Sequence, residues 1–295
     1  MAWPPRSWPS ARHCCKNLQT TFSRSDMERI AVVGAGNIGE AFISGLVANG
    51  VEPGSITATN RSSSRSTELA ERYGVRTTSN NREAVRDADL ALLCVKPAQI
   101  LDVIAEVGEE LADSGSSTVL VSMAAGVTIA AMEDAVSAAG TPIVRVMPNT
   151  PMLVGKGVLA AACGRFVGEE QRDAVVELLS AAGQVVQVAE SQIDAVTAIS
   201  GSGPAYFFLV AEALVDAGVS LGLPRDLAEQ LACATAAGAG AMLEGEDSPV
   251  QLRANVSSPA GTTVRAIREL EESGLRGAFY RATEICAERS AELGK

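Results

Sequence analysis

The residues Val256-Ser257-Ser258-Pro259-Ala260-Gly261-Thr262-Thr263 gather small side chains and hydroxyls ahead of a run in which Val264, Ile267 and Leu270 recur at helical spacing. A helix N-terminus leaves backbone N–H groups unpaired and partially positive, so such a turn favours an anion. The hydroxyls of Thr262 and Thr263 add donors and acceptors at the helix mouth. On these residues alone the turn reads equally well as a capped helix whose Ser and Thr satisfy their own backbone.

A second cluster lies near the start. Arg29-Ile30-Ala31-Val32-Val33 is a short apolar run that enters Gly34-Ala35-Gly36-Asn37-Ile38-Gly39, and Ala41, Phe42, Gly45 and Leu46 follow at helical spacing. Strand, glycine turn and helix in that order are the setting of a dinucleotide fingerprint. Gly34 permits the tight turn, Gly36 lets a pyrophosphate approach, and Gly39 allows close helix packing. About 20 residues on, an NAD site places an acid on the ribose diol. This chain has Asn60-Arg61-Ser62-Ser63-Ser64-Arg65 there, with no acid. Two guanidinium groups among hydroxyls suit a 2′-phosphate, so NADPH is expected ahead of NADH.

Three further apolar runs end in small or polar residues. Ala88–Val95 ends at Lys96-Pro97, Thr118–Ser122 at Met123-Ala124-Ala125-Gly126, and Ile143–Val146 at Met147-Pro148-Asn149-Thr150-Pro151. In open α/β sheets the ligand lies at the carboxyl ends of the strands. Lys96 is one of only four lysines in the chain.

The reaction is narrowed by what is scarce. The only histidine is His13, far from these clusters, which disfavours hydroxyl oxidation by a histidine base. The six cysteines show no zinc-ligand spacing beyond residue 26, so no metal is expected. A reductase whose substrate needs little help with protons remains. A cyclic imine fits: once its nitrogen is protonated, the carbon accepts hydride directly. The protein then has to place the ring against a nicotinamide and stabilise its charges.

The elements that position these clusters read as an α/β protein: a Rossmann-type dinucleotide-binding domain over residues 27–189, then an all-helical dimerisation domain over 190–295. Strand–helix alternation continues through Glu169–Ala182 and Val185–Val188 and stops at Ser191. Ser200-Gly201-Ser202-Gly203-Pro204 reads as the start of a helix over Ala205–Gly218. Residues 1–26, rich in Arg, Ser and Pro, read as an N-terminal extension, disordered or preceding the true start. Net charge is −11, and beyond residue 25 there are 20 basic against 35 acidic residues. That balance argues against nucleic-acid or membrane-surface binding. Apolar residues make up 47% of the chain, yet no apolar run reaches membrane-spanning length. Scattered cysteines fit a reducing, cytoplasmic setting.

From Met27 onward, the chain resembles the pyrroline-5-carboxylate reductases. The resemblance rests on Ile30–Gly39, Val95-Lys96-Pro97, Ala124-Ala125-Gly126, Met147–Pro151, Ser200–Tyr206 and, most specifically, Val256–Thr263 with Ala266, Ile267, Leu270 and Glu271. It implies reduction of 1-pyrroline-5-carboxylate to L-proline with NADPH, NADH being possible. It also implies that Ser258, Gly261 and Thr262 hold the substrate carboxylate while the Thr263 hydroxyl bonds the ring nitrogen. Cofactor contacts would come from Gly34, Gly36, Asn37, Ile38 and Gly39, then from Asn60, Arg61 and Ser62, with Asn81 on the adenosine side. Val95, Lys96, Pro97, Ala124, Ala125, Gly126 and Asn149 would serve the rest. Intertwined homodimers, often built into homodecamers, are the implied assembly. Ala260 departs from the family's usual glycine, and its methyl is tolerable unless that position needs φ > 0.

Two other functions set the contrast. A β-hydroxyacid dehydrogenase needs a lysine in its helical domain, and none lies between Gly157 and Gly294. A redox-sensing module would keep the glycine turn but has no need of Ser257–Thr263.

Overall fold

Strand β1 (Ile30–Val33) is buried on both faces, and its alternation divides the core in two. Ile30 and Val32 join Phe42, Ile43 and Leu46 on one face, while Ala31 and Val33 join Ile104, Val107 and Leu111 on the other. In this computed structural model the described residues are 28–115 and 117–294; the expected extension over 1–26, with His13, lies outside them.

After β1 come α1 (Asn37–Ala48), β2 (Ile56–Thr59), α2 (Ser63–Tyr73), β3 (Arg76–Thr78), α3 (Asn81–Val85), β4 (Leu90–Leu93), α4 (Ile100–Ser114), β5 (Val119–Ser122), α5 (Ile129–Ala135) and β6 (Ile143–Met147). Then follow β7 (Gly157–Cys163), α6 (Glu169–Leu179) and β8 (Gly183–Gln187). The sheet order is β3-β2-β1-β4-β5-β6-β7-β8. All neighbours run parallel except β6 and β7. Helices α1, α2 and α6 cover one face, and α3, α4 and α5 the other.

Winding reverses at β1, which has β2 on one side and β4 on the other, so a crevice opens at its carboxyl end. Register makes this edge straight. Val33 pairs with both Thr59 and Leu93, Leu93 with Ser122, and Ser122 with Arg145. The loops at residues 34, 60, 94 and 123 therefore leave the sheet from one row.

The remainder is helical: α7 (Ile193–Val196), a π turn over Thr197–Gly201, α8 (Gly203–Ser220), α9 (Arg225–Met242), α10 (Pro249–Asn255), α11 (Thr262–Glu272) and α12 (Leu275–Leu293). Helical structure passes through Ser200–Pro204, where the sequence pointed to a break. The stretch Glu190–Ser220 is consequently 31 residues, long and apolar enough by length and composition to cross a membrane, although Glu190, Asp194, Glu212 and Asp216 interrupt it and leave no unbroken apolar run. Helices α8 and α9 pack closely, because a methyl on Gly218 would lie 3.0 Å from the Ala228 Cβ. Their outer faces stay bare: Phe207, Phe208 and Leu209 on α8 are 68%, 66% and 64% exposed, and Leu231 and Met242 on α9 are 50% and 55% exposed. An apolar surface of this kind marks an interface.

Candidate active site

The glycine turn is held from below. The Gly34 N–H donates to Thr59 Oγ1 at 3.1 Å, and Ala35 N–H donates to the Thr59 carbonyl at 2.8 Å. Gly34 has φ +79°, and a methyl there would lie 2.6 Å from Val95 Cγ1, so glycine is required twice over. Gly39 sits against Val32, where a methyl would come within 3.0 Å of its Cγ1. Gly36 differs: a methyl there would meet nothing within 4 Å. It caps α1 without any side-chain hydrogen bond, and Asn37 and Ile38 are exposed beside it. An open helix mouth with bare amide donors fits a dinucleotide pyrophosphate.

Beyond β2, Asn60 donates to the Ala35 carbonyl at 3.0 Å and accepts from Ser62 N–H at 3.0 Å. Ser62 caps α2 by accepting from Arg65 N–H. Arg61 reaches across the crevice: with the Gln99 amide turned so that its oxygen faces the guanidinium, both Nη atoms donate to it, at 2.6 and 3.0 Å. Arg65 does not share this role. Its guanidinium is engaged by Glu40 and Glu68, while Arg72 Nη1 and Tyr73 OH also reach Glu40, each at 3.0 Å. Of the two arginines that the sequence offers to a 2′-phosphate, Arg65 is thus held by a carboxylate on α1 and one on its own helix, while Arg61 meets only the neutral Gln99 amide. Burial pushes the Glu40 carboxyl up, but the Arg65 and Tyr73 hydrogen bonds and the two guanidinium charges outweigh it and leave the group below its ordinary value.

Asn81 opens α3 beneath the turn. It accepts from Thr59 Oγ1 at 2.8 Å and donates to Glu106 Oε2 at 3.0 Å. Both ends of its amide are thus engaged by protein, and it supports Gly34 through Thr59. Lys96 and Pro97 are exposed past β4, and Val95 is half-buried under Gly34. Ala124 is buried and Ala125 half-buried past β5. Gly126 has φ +78°, and a methyl there would lie 2.8 Å from the Leu293 Cβ, so the end of α12 rests on this loop. Asn149 donates from Nδ2 to the Ser200 carbonyl at 2.9 Å and accepts at Oδ1 from Val158 N–H at 2.8 Å.

The turn ahead of α11 is closed by Gly261 N–H donating to the Ser258 carbonyl at 3.0 Å. A methyl on Gly261 would run into Ser258 Oγ. Ala260 has φ +58°, the one non-glycine positive φ among the described residues. This is the case in which a methyl is strained. Gly261 caps α11 without a side-chain bond. Among the described residues, no hydrogen bond to the Ser258, Thr262 or Thr263 hydroxyls is found, and none joins residues 256–263 to the loops past β1, β4, β5 or β6. Gln99, beside Arg61, and the Ser200 carbonyl, beneath Asn149, escaped the sequence reading, because each gains its role only from a distant partner.

Residues 190–293 match the family described as pyrroline-5-carboxylate reductase dimerisation, and residues 29–126 match that described as NADP oxidoreductase, coenzyme F420-dependent. The pyrroline-5-carboxylate reductase of Corynebacterium melassecola is 57% identical over 270 residues, covering 91% of this chain and 100% of that protein. The chain belongs to the pyrroline-5-carboxylate reductase family. The Mycobacterium tuberculosis (strain H37Rv) pyrroline-5-carboxylate reductase is 45% identical, over 90% of this chain and 97% of that protein. Among solved structures, the pyrroline-5-carboxylate reductase of Coxiella burnetii matches with a TM-score of 0.87 at 40% identity, over 92% of this chain and 100% of that one. The Plasmodium falciparum pyrroline carboxylate reductase with NADP bound matches with a TM-score of 0.78 at 31% identity, over the same shares. As a member of the pyrroline-5-carboxylate reductase family the protein is an NAD(P)H-dependent oxidoreductase that oligomerises, and the dimerisation match spans the bare helices.

Proposed function

We propose that the protein reduces 1-pyrroline-5-carboxylate to L-proline with NADPH, the last step of proline biosynthesis. The observation that carries the reading is the uncapped N-terminus of α11, with its two threonine hydroxyls directly after a turn of small residues. The backbone around Ser258, Gly261 and Thr262 holds the ring carboxylate at the positive end of α11, the Gly261 N–H closing the turn onto the Ser258 carbonyl. The Thr263 hydroxyl bonds the ring nitrogen, fixing which face of the C=N carbon is presented. NADPH, when bound, supplies the hydride. The C=N carbon gains it, and the nitrogen, already protonated, becomes the amine, so no histidine is needed.

Gly34, Gly36, Asn37, Ile38 and Gly39 seat the pyrophosphate. Arg61 with Asn60 and Ser62 takes the adenosine end, and Val95–Pro97 with Ala124–Gly126 lines the nicotinamide half. NADH serves less well because the Arg61 guanidinium then has no phosphate to pair with. The working unit is a homodimer through residues 190–295, extended in some settings to a homodecamer, with residues 27–189 as the cofactor domain and a cytoplasmic location. The test is oxidation of NADPH on addition of pyrroline-5-carboxylate, with L-proline as product, beside the same assay with NADH. No turnover with this or any other cyclic imine would overturn the assignment.

A further inference from the structure

The stretch Ser200-Gly201-Ser202-Gly203-Pro204 builds an orphan acceptor. In a regular helix the Ser200 carbonyl takes the N–H four residues on, but that residue is Pro204, which has none and whose ring crowds that carbonyl. The chain answers with a π turn, seen in the Ser202 N–H donating to the Thr197 carbonyl at 2.8 Å. The Ser200 carbonyl is turned outward and takes the Asn149 amide at 2.9 Å instead.

Asn149 does not act alone. Counting back by twos along β6, a methyl on Gly201 would lie 2.7 Å from Met147 Cε, and the buried Arg145 donates from Nη1 to Glu190 Oε1 at 3.1 Å. Two alternate residues of β6, Arg145 and Met147, with Asn149 two residues beyond its end, therefore grip the entry to the helical domain at Glu190, Gly201 and Ser200. Asn149 is the outermost of the three and stands past the carboxyl end of β6, on the edge of the sheet that holds the cofactor loops.

We propose that Asn149 is a positioning residue that fixes the helical domain against this edge through the Ser200 carbonyl, rather than a cofactor contact. The proposal rests on the reductase reading. The helical domain carries the turn at 257–263, so play at the π turn moves the substrate seat relative to the nicotinamide, wherever in the oligomer the two meet. A displacement of about 1 Å lowers turnover by about 100-fold.

The test uses the assembled wild-type enzyme and Asn149→Asp, which keeps an oxygen for Val158 N–H and removes the donor to Ser200. The expected result is a fall in kcat of about 10- to 100-fold with NADPH Kd within about threefold, and faster amide hydrogen exchange over residues 197–206. Pro204→Ala attacks the same latch from the other side by giving the Ser200 carbonyl a local N–H, and the same pattern is expected. An Asn149→Asp kcat within about threefold of wild type overturns the proposal. So does an NADPH Kd weakened as much as kcat/KM falls, which makes Asn149 a direct cofactor contact. If the Asp variant does not assemble, Pro204→Ala decides on the same readouts. Absence of turnover in the wild-type protein sinks the reductase reading and leaves the exchange measurement to judge the latch.

Discussion

Gly34 and Val95 approach so closely across β1 and β4 that a methyl on the glycine would lie 2.6 Å from Val95 Cγ1, whereas a methyl on Gly36 would meet nothing. Two alanine substitutions two residues apart should therefore fail differently. Gly34→Ala combines left-handed strain of about 1–2 kcal/mol with overpacking of about 1–3 kcal/mol, and should lower Tm. Gly36→Ala should leave Tm unchanged and raise the NADPH Kd at least about 10-fold, since its methyl enters the space the pyrophosphate takes. Thermal melts beside cofactor titrations separate them; equal Tm values would contradict the packing argument.

Ala260 holds φ +58° in a turn where glycine fits without strain. Ala260→Gly removes about 1–2 kcal/mol of strain but loosens the unfolded chain by about 0.4–1 kcal/mol, so a net gain of between zero and about 1.6 kcal/mol is expected. Ala260→Val should destabilise, because a β-branched residue tolerates this region least. Urea unfolding at one fixed protein concentration reads both.

Thr263→Ala should lower kcat/KM by about 10- to 100-fold, the worth of one oriented bond to a charged group, while Thr263→Ser should stay within a few-fold. Unchanged kinetics in the alanine variant would remove Thr263 from its proposed role.

Arg61→Ala should raise the NADPH KM by about 10- to 100-fold, as loss of a charge-assisted pair does, and leave the NADH KM nearly unchanged. Arg65→Ala should do neither, because that guanidinium is engaged by Glu40 and Glu68. Parallel loss with both cofactors in Arg61→Ala would deny it a role in phosphate recognition.

Glu40 is held below its ordinary value: burial raises it, but Arg65, Tyr73 and Arg72 together bring it down. A carboxylate lowered in the folded state stabilises at neutral pH, and that stability is withdrawn as pH falls through its folded value. Glu40→Gln should be less stable than wild type at pH 7, with the gap closing in acid. A gap constant from neutral to acid pH would show that the ion pairs contribute nothing.

Much of this was legible in the chain. Ile30–Val33 entering Gly34 predicts strand, turn and helix because continuous apolar residues and glycine have few other uses in that order. The paired strand ends at residues 96 and 123 follow for the same reason. Strand β7 was not legible: Gly157–Cys163 is nearly all alanine and small residues, and its antiparallel pairing with β6 is fixed across the sheet rather than locally. Polar Arg76-Thr77-Thr78 hides β3 at an edge. Arg65 reads as a phosphate ligand until Glu40, a helix away, is seen to take it. Likewise Asn149 resembles a loop polar residue, and only the missing N–H of Pro204 explains what it bonds.

Because Leu293 and Gly294 lie against Gly126, any purification handle fused to the carboxyl end begins at the loop proposed to line the nicotinamide. Glu28 and Arg29, by contrast, lead into β1 at the side of the sheet remote from that loop. Activity compared with and without such a carboxyl-terminal handle offers an inexpensive check on how tightly α12 must close.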